Sequence, residues 1–283
     1  MAKYHIFHCI PDPRLHIFNG YNEVIETVIW GLQSFGHEVT YDINKYSGDA
    51  INIIFGAQMM GVDVLKMFPK GTIVYNLEQL YGLFSGGRSR DDFCYMAENF
   101  IIWDYSDINI EMWSSLFSPR SIRHVPIGYA PFLGRIAKPA EQDIDVLIYG
   151  APSDSRLLVL KDLCNLGLST MFFFGLYRQA RDDLIGRSKI VLNINSNAVS
   201  RIFSIVRVSY LLANRKAVVA DFNETMSVEL DMPNAVRFVS LEKVAETCFL
   251  YAADAAARQT LENQGFAAIQ KRDIRAILSA ALS

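Results

Sequence analysis

Short apolar runs alternate along the first half of the chain with segments whose apolar residues recur every three or four positions. The helical pattern is clearest over residues 21–35, and Gly36 follows it as a typical helix-ending residue. Helices separate strands in this way in parallel sheets with right-handed crossovers. The runs with the length of buried strands are residues 4–10, 38–41, 50–55, 72–75, 100–103 and 122–126.

The same alternation begins again after residue 143. The stretch before it, residues 131–143, is polar and contains prolines, as linkers do. We therefore predict an α/β protein with two Rossmann-like domains that face each other across a cleft, followed by C-terminal helices. The predicted boundaries are residues 1–132, 143–265 and 266–283. The strands predicted in the second half are residues 145–149, 169–174, 190–194, 217–220 and 236–239.

Composition narrows the classes of function. The net charge is −3 and the basic residues are scattered, so the sequence gives no strong nucleic-acid signal. No apolar run reaches the ~20 residues that span a bilayer, and the N-terminus lacks a signal-peptide pattern. The four cysteines are far apart, and the histidines lack metal-ligand spacing. We expect a cytoplasmic protein with reduced thiols and no bound metal.

Ligands of open parallel sheets bind beyond the carboxyl ends of the strands. After the first strand of the second half, Gly150 allows close backbone approach and Ser153 is a candidate helix cap. Arg156 lies in the first turn of that helix, where a cation is unfavourable unless an anion binds too. The loop is therefore a candidate phosphate site, and an ordinary capped turn is the alternative.

Other post-strand residues extend this candidate site. Tyr177 follows the next strand and is placed to stack on a base, unless it belongs to a plain surface loop. Asn193 and Asn195 end a buried strand, and Arg207 lies near the start of the next helix, where a guanidinium grips a diphosphate bidentately. The chain has no GxGxxG or Walker sequence, which disfavours classical NAD binding and P-loop chemistry.

The segment from 191 to 219 resembles the donor half of group-one glycosyltransferases of the GT-B class, in particular the spore-maturation-type branch. That branch has an Asn-containing strand, then Arg-Val-Phe-Glu-Ala-x-Ala-x-Gly, then an apolar strand. Here the corresponding stretch begins Arg207-Val208-Ser209-Tyr210. The resemblance implies that Arg207 contacts the donor diphosphate and Tyr210 the ribose, with Ser209 between them in the donor site. Ile202 and Tyr210 stand where the wider group has glutamates, and Arg215 stands where the branch has glycine.

The acceptor is expected on the first half, where polar and aromatic residues follow the strands. Glu78 and Asp104 are candidate general bases, and His124 is either a third candidate or a contact of the donor sugar. The alternative for each is structural: a capping carboxylate or a satisfied histidine. Residues 82–92, with paired glycines and two arginines, are a candidate lid.

These observations predict metal-independent transfer of a sugar from a nucleotide-diphosphate donor to a hydroxyl acceptor, such as a carbohydrate. The donor is the substrate, and no separate cofactor is expected. Two alternatives stay open. One is a non-catalytic nucleotide-sugar-binding protein derived from a GT-B enzyme, and the other is a nucleotide-sugar epimerase.

Overall fold

A computed structural model describes residues 1–12, 14, 16–81, 89–195 and 200–283. The chain forms two compact units. The first contains Met1–Ala130 together with Asp273–Ser283, and the second contains Pro131–Arg272. Among the described residues, no helix is both long and apolar enough to cross a membrane.

The first unit is built on a parallel sheet with the strand order β2-β1-β3-β4-β5-β6. Side chains of β1, β3, β4 and β5 pack under the helices that connect the later strands, and Phe93 and Trp113 are fully buried there. Burial of such rings is the main stabilisation of a sheet face. The elements are β1 Lys3–His8, α1 Asn22–Ser34, β2 Glu38–Ile43, β3 Ile51–Phe55, α2 Val62–Leu65, β4 Ile73–Asn76, α3 Arg90–Asn99, β5 Ile101–Asp104, α4 Asp107–Phe117 and β6 Ser121–His124.

The second unit is built on a parallel sheet with the strand order β11-β10-β9-β7-β8. Ile148, Ile190 and Leu192 pack with Val159 and Cys248 of two covering helices, so the alternate residues of these strands face the opposite side. The elements are β7 Ile144–Tyr149, α5 Asp154–Asn165, β8 Thr170–Phe173, α6 Arg178–Arg187, β9 Ser188–Asn193, α7 Ile205–Ala213, β10 Ala217–Asp221, β11 Arg237–Val239, α8 Val244–Ala253 and α9 Ala255–Gln270.

The last helix, α10 (Ile274–Leu282), belongs to the first unit. A Cβ atom at Gly31 of α1 would lie 2.6 Å from Cδ1 of Leu278, so glycine allows the two helices to approach closely. The backbone N–H of Ile274 donates to the carbonyl of Tyr129 at 3.1 Å. Residues 266–270, which the sequence groups with this helix, instead continue α9 in the second unit.

The predicted linker is held on the second unit. The backbone N–H groups of Arg135 and Ile136 donate to Oδ1 of Asn214 at 2.9 and 2.8 Å. The ammonium of Lys138 pairs with Glu262 at 2.8 Å. Each contact anchors residues 131–143 to a helix of this unit.

The predicted fold class is confirmed in its elements. Both halves are parallel α/β sheets, and the strand predictions fall within a few residues of the observed strands. Apolar runs separated by helical patterns thus sufficed to identify the strands and their parallel arrangement.

Candidate functional site

Two arginines reach the loop that follows β7. Gly150 has a φ of +127°, a backbone conformation that side-chain-bearing residues rarely adopt. A Cβ atom at Gly150 would lie 2.8 Å from Nη1 of Arg156 and 3.1 Å from Nη2 of Arg207. Glycine is therefore strongly favoured here, because another residue would strain the backbone and force one guanidinium or both to move.

The guanidinium of Arg156 is fixed across the ends of β7 and β9. Arg156 is only 4% exposed, and its Nε and Nη2 atoms donate to the carbonyl of Ile194 at 3.0 and 2.7 Å. Nη1 donates to the carbonyl of Ala151 at 2.5 Å. Burial, together with the nearby charge of Arg207, lowers the pKa of Arg156 to about 10. The protein thus holds two like charges close together, at an electrostatic cost.

Arg207 lies in the first turn of α7, as predicted. Its guanidinium carbon is 5.1 Å from the centroid of the Tyr149 ring, which is stacked on Phe173. Within the described ranges, neither Arg207 nor Arg156 forms an ion pair with a carboxylate. The arrangement leaves positive charge for an anion that comes from outside the chain.

The start of α5 lies at the same loop. Ser153 caps it, because its Oγ accepts the N–H of Arg156 at 3.4 Å. The N-terminus of a 12-residue helix attracts anions through its dipole and its free N–H groups. The structure therefore brings Gly150, Ser153, Arg156 and Arg207 together at one loop, where positive charge and a helix N-terminus face the same place.

Two asparagines continue this edge of the sheet. Asn193, the last residue of β9, is 1% exposed, and among the described residues neither polar atom of its amide has a hydrogen-bond partner. Asn195 donates its backbone N–H to Oδ1 of Asp221 at 2.9 Å. A buried unpaired amide costs about 1–3 kcal/mol, which a ligand that bonds to it would recover.

Tyr210 and Ser209 do not present polar groups in the way the sequence predicts. Tyr210 is 3% exposed, and its hydroxyl donates to Asp182 at 2.8 Å and accepts from Nε of Arg135 at 3.1 Å. The hydroxyl of Ser209 donates within its own helix to the carbonyl of Val206. These bonds give Tyr210 a packing role between α6, α7 and residues 131–143. They leave its predicted ribose contact without structural support.

Tyr177 directly precedes α6 and is half-buried. Beside it, Phe174 and Leu176 are exposed apolar side chains at the end of β8. Exposed apolar groups next to a phosphate site suit a planar base.

In the first unit, Asp104 is fully buried at the end of β5. Its carboxylate accepts four hydrogen bonds at 2.7–3.0 Å, from Asn76, Asn109, Trp113 and the backbone N–H of Ser106. An acceptor hydroxyl cannot reach a carboxylate with no exposed surface. This favours the structural alternative that the sequence left open for Asp104.

Glu78 is half-buried, and its carboxylate accepts a short hydrogen bond from the hydroxyl of Tyr21. Gln58 in turn donates to the Tyr21 hydroxyl at 2.9 Å. The amides of Asn76 and Asn109 each donate to both the Glu78 carbonyl and the Asp104 carboxylate. Asp104 thus positions the segment that carries Glu78.

His124 is exposed on the edge strand β6. Its Nδ1 lies 3.2 Å from Oδ1 of Asp107, and its Nε2 lies 3.2 Å from the carbonyl of Tyr105. Both ring nitrogens therefore have partners within the chain. Of the two predicted catalytic carboxylates, only Glu78 has exposed surface.

The candidate lid is only partly described, since residues 82–88 lie outside the described residues. Of the remainder, Ser89 caps α3 and Asp92 accepts the backbone N–H of Val62 at 2.9 Å. Arg90 donates to the carbonyl of Leu116 at 3.0 Å. These bonds anchor the C-terminal end of the predicted lid to the first unit.

In the described part of the chain, no three acidic, histidine or cysteine side chains form a group that could hold a metal.

Tyr149 and Asp221 also lie at the carboxyl ends of strands in the second sheet. The sequence analysis assigned no role to either residue. A carboxylate directly after the strand predicted over 217–220 is the sequence signal for Asp221. Tyr149 has no such signal, because its contact with Arg207 depends on how α7 packs on the sheet.

Comparisons with known proteins identify structures that share this fold. No family model matches the sequence, and no curated protein matches it either. Solved structures do match along the whole chain. HepE of Anabaena, in complex with UDP-glucose, has a TM-score of 0.61 at 11% identity and covers 100% of this chain and 98% of its own.

Two further structures are similar to the same extent. Sucrose-phosphate synthase of Thermosynechococcus elongatus has a TM-score of 0.62 at 11% identity, with 100% and 98% of the two chains covered. WaaG, a glycosyltransferase involved in lipopolysaccharide biosynthesis, has a TM-score of 0.60 at 11% identity, with 99% and 98% covered. At this identity the likeness concerns the fold, and it confirms the predicted GT-B type of architecture.

The buried carboxyl of Asp104 gives a testable pH dependence. Burial raises its pKa to about 7 in the folded chain, whereas an unfolded aspartate ionises near ~3.9. Because the folded state holds the proton more tightly, this contribution to stability is complete below about pH 4 and is lost as the pH rises through about 7. We expect the free energy of unfolding of the wild type to fall over that interval relative to Asp104→Asn, measured by urea denaturation. A pH-independent difference between the two proteins would contradict this assignment.

Proposed function

We propose that the chain is a glycosyltransferase that moves a sugar from a nucleoside-diphosphate donor to a hydroxyl acceptor. One observation carries the proposal: two guanidinium groups meet at the Gly150 loop, and within the described residues neither has a carboxylate partner. Two adjacent positive charges at a helix N-terminus suit a diphosphate, which carries several negative charges and many acceptor oxygens.

The same groups supply what the chemistry requires. As the bond between the sugar and the diphosphate breaks, negative charge grows on the departing phosphate oxygens. Arg156 is held in place by two backbone carbonyls, so little reorganisation is needed at the moment of reaction. Arg207 is the more exposed partner and is able to adjust to the phosphate.

The structural relatives support a nucleotide-sugar donor. HepE is described in complexes with UDP, with UDP and glucose, and with UDP-glucose. We propose a donor of this class for the present chain, held by the second unit. We also propose that the chain belongs to the group-one, spore-maturation-type branch, on the residues of α7 that resemble it.

Glu78 is the proposed base that accepts the proton of the acceptor hydroxyl. Its carboxylate is oriented by Tyr21, which Gln58 holds from the other side. Polar and aromatic side chains around it suit a carbohydrate acceptor. His124 is the second candidate, and its exposed ring would act on the acceptor or the donor sugar.

We propose transfer without a metal ion, because the two arginines supply the positive charge that a metal would otherwise give. The cytoplasm is the proposed compartment, on account of four free cysteines.

A non-catalytic nucleotide-sugar-binding protein is the second candidate. It is favoured by the burial of Ile202 and Tyr210, since neither offers a negative charge at the positions where the resembling enzymes have glutamates. Turnover of any donor, including slow hydrolysis to the nucleoside diphosphate, excludes this candidate.

Arg207→Ala is expected to weaken nucleoside-diphosphate binding by about tenfold or more, since a hydrogen bond to a charged group is worth ~1.5–3 kcal/mol. Calorimetric titration with UDP, GDP, ADP and dTDP measures this. Arg237→Ala, which removes an exposed arginine of β11, is the matched control and should leave affinity unchanged. Equal affinities for wild type and Arg207→Ala would show that the site is wrongly placed.

Glu78→Gln is expected to lower kcat by about a hundredfold or more while the donor KM stays within a factor of about two, as for loss of a general base. Glu98→Gln, an exposed carboxylate of α3, is the control. Initial rates with saturating acceptor test this. An unchanged kcat would contradict the assignment of Glu78 as the general base, and His124→Ala would then be the next variant to test.

Chelation is expected to have no effect on the transfer rate. The transfer rate of untreated protein is compared with the rate of protein that has been exhaustively dialysed against EDTA and assayed in its presence. A loss of activity that Mg²⁺ or Mn²⁺ restores would contradict the metal-independent mechanism.

A further inference from the structure

The sheet edge that carries the two arginines also carries one carboxylate. The last residue of each strand from β7 to β10, and the two residues after it, are described in full. Asp221 is the single carboxylate among them. Its neighbours at this edge are glycine, apolar residues and the amides of Asn193, Asn195 and Asn223. A carboxylate is unfavourable beside a bound diphosphate unless it has a task of its own.

The position of Asp221 is well defined. It is half-buried, and Oδ1 accepts the backbone N–H of Asn195 at 2.9 Å. Asn195 directly follows Ile194, whose carbonyl is held by Arg156. Burial raises the pKa of Asp221, and the charge of Arg156 partly offsets that rise. The carboxylate thus lies near the diphosphate site and is linked to it through two neighbouring backbone groups.

The strand order suggests how a bound donor is oriented along this edge of the sheet. β8 lies beside β7 on one side, and β9 and β10 lie on the other. At the β8 end, Phe174 is 52% exposed and Leu176 39%, which suits the flat face of a base. At the other end lie the carboxylate of Asp221 and the amide of Asn193, which has no hydrogen-bond partner in the described part of the chain. Both groups suit hydroxyl groups. Phe222, which follows Asp221, packs edge-on against Phe238.

We propose that Asp221 is a specificity-determining residue that accepts hydrogen bonds from the hydroxyl groups of the donor's sugar. This inference rests on the proposed function and extends it to a residue with no assigned role. A diphosphate at Arg156 and Arg207, with its base toward β8, places the sugar toward β9 and β10. Asp221 then binds the part of the donor that a nucleoside diphosphate lacks.

The experiment compares each diphosphate with its sugar: UDP with UDP-glucose, GDP with GDP-mannose, ADP with ADP-glucose and dTDP with dTDP-glucose. Dissociation constants are measured for the pair that the wild type binds most tightly, and then for Asp221→Asn. This variant keeps the shape of the side chain and the oxygen that accepts the Asn195 N–H. Glu224→Gln, which removes an exposed carboxylate three residues further on, is the charge-matched control.

We expect Asp221→Asn to weaken the nucleotide sugar by about tenfold or more and to change the diphosphate by less than about threefold. Thermal unfolding of the free protein checks that the variant folds. Equal weakening of both ligands, or of neither, overturns the proposal. Tighter diphosphate binding with an unchanged preference for the sugar also overturns it, since Asp221 would then only balance the charge of Arg156. A wild type that binds no nucleoside diphosphate refutes the proposed function itself.

Discussion

The central constraint on the second unit is the repulsion between two neighbouring guanidinium groups, which the nearby carboxylate of Asp221 offsets only in part. Arg156 and Arg207 bring two guanidinium groups to one glycine loop, and one of them is almost fully buried. Carbonyl oxygens and an aromatic face bind them, but none of the described residues gives either an ion pair. The other buried arginine of this unit, Arg181, does have such a partner in Asp182. This difference is what the proposed diphosphate site rests on.

The surrounding fold makes this arrangement possible. Parallel strands bring their carboxyl ends to one edge, so that the carbonyl of Ile194 after β9 meets a side chain from the helix after β7. Gly150 adopts a positive φ and has no side chain to fill the space beside the two guanidinium groups. The buried amide of Asn193, which no described residue hydrogen-bonds, lies at the same edge. Packing, backbone conformation and charge therefore select the same place for a ligand.

Hydrophobic periodicity was enough to predict the strands and the two parallel units, and post-strand position was enough to find Gly150, Arg156 and Arg207. It was not enough for residues whose role depends on packing between helices. Tyr210 is on the predicted helix, yet its hydroxyl bonds to Asp182 and Arg135, which lie 28 and 75 residues away in sequence. Asp104 likewise follows a strand, but Trp113 and two asparagines enclose it. Local sequence pattern likewise does not predict that α10 packs on α1 of the first unit.

The most direct test is a crystal of the protein soaked with the nucleoside diphosphate that it binds most tightly. The account predicts density for the two phosphates against the backbone of Gly150 and within hydrogen-bond distance of both Arg156 and Arg207. Density elsewhere on the chain, or an empty loop with the ligand in excess, would contradict it.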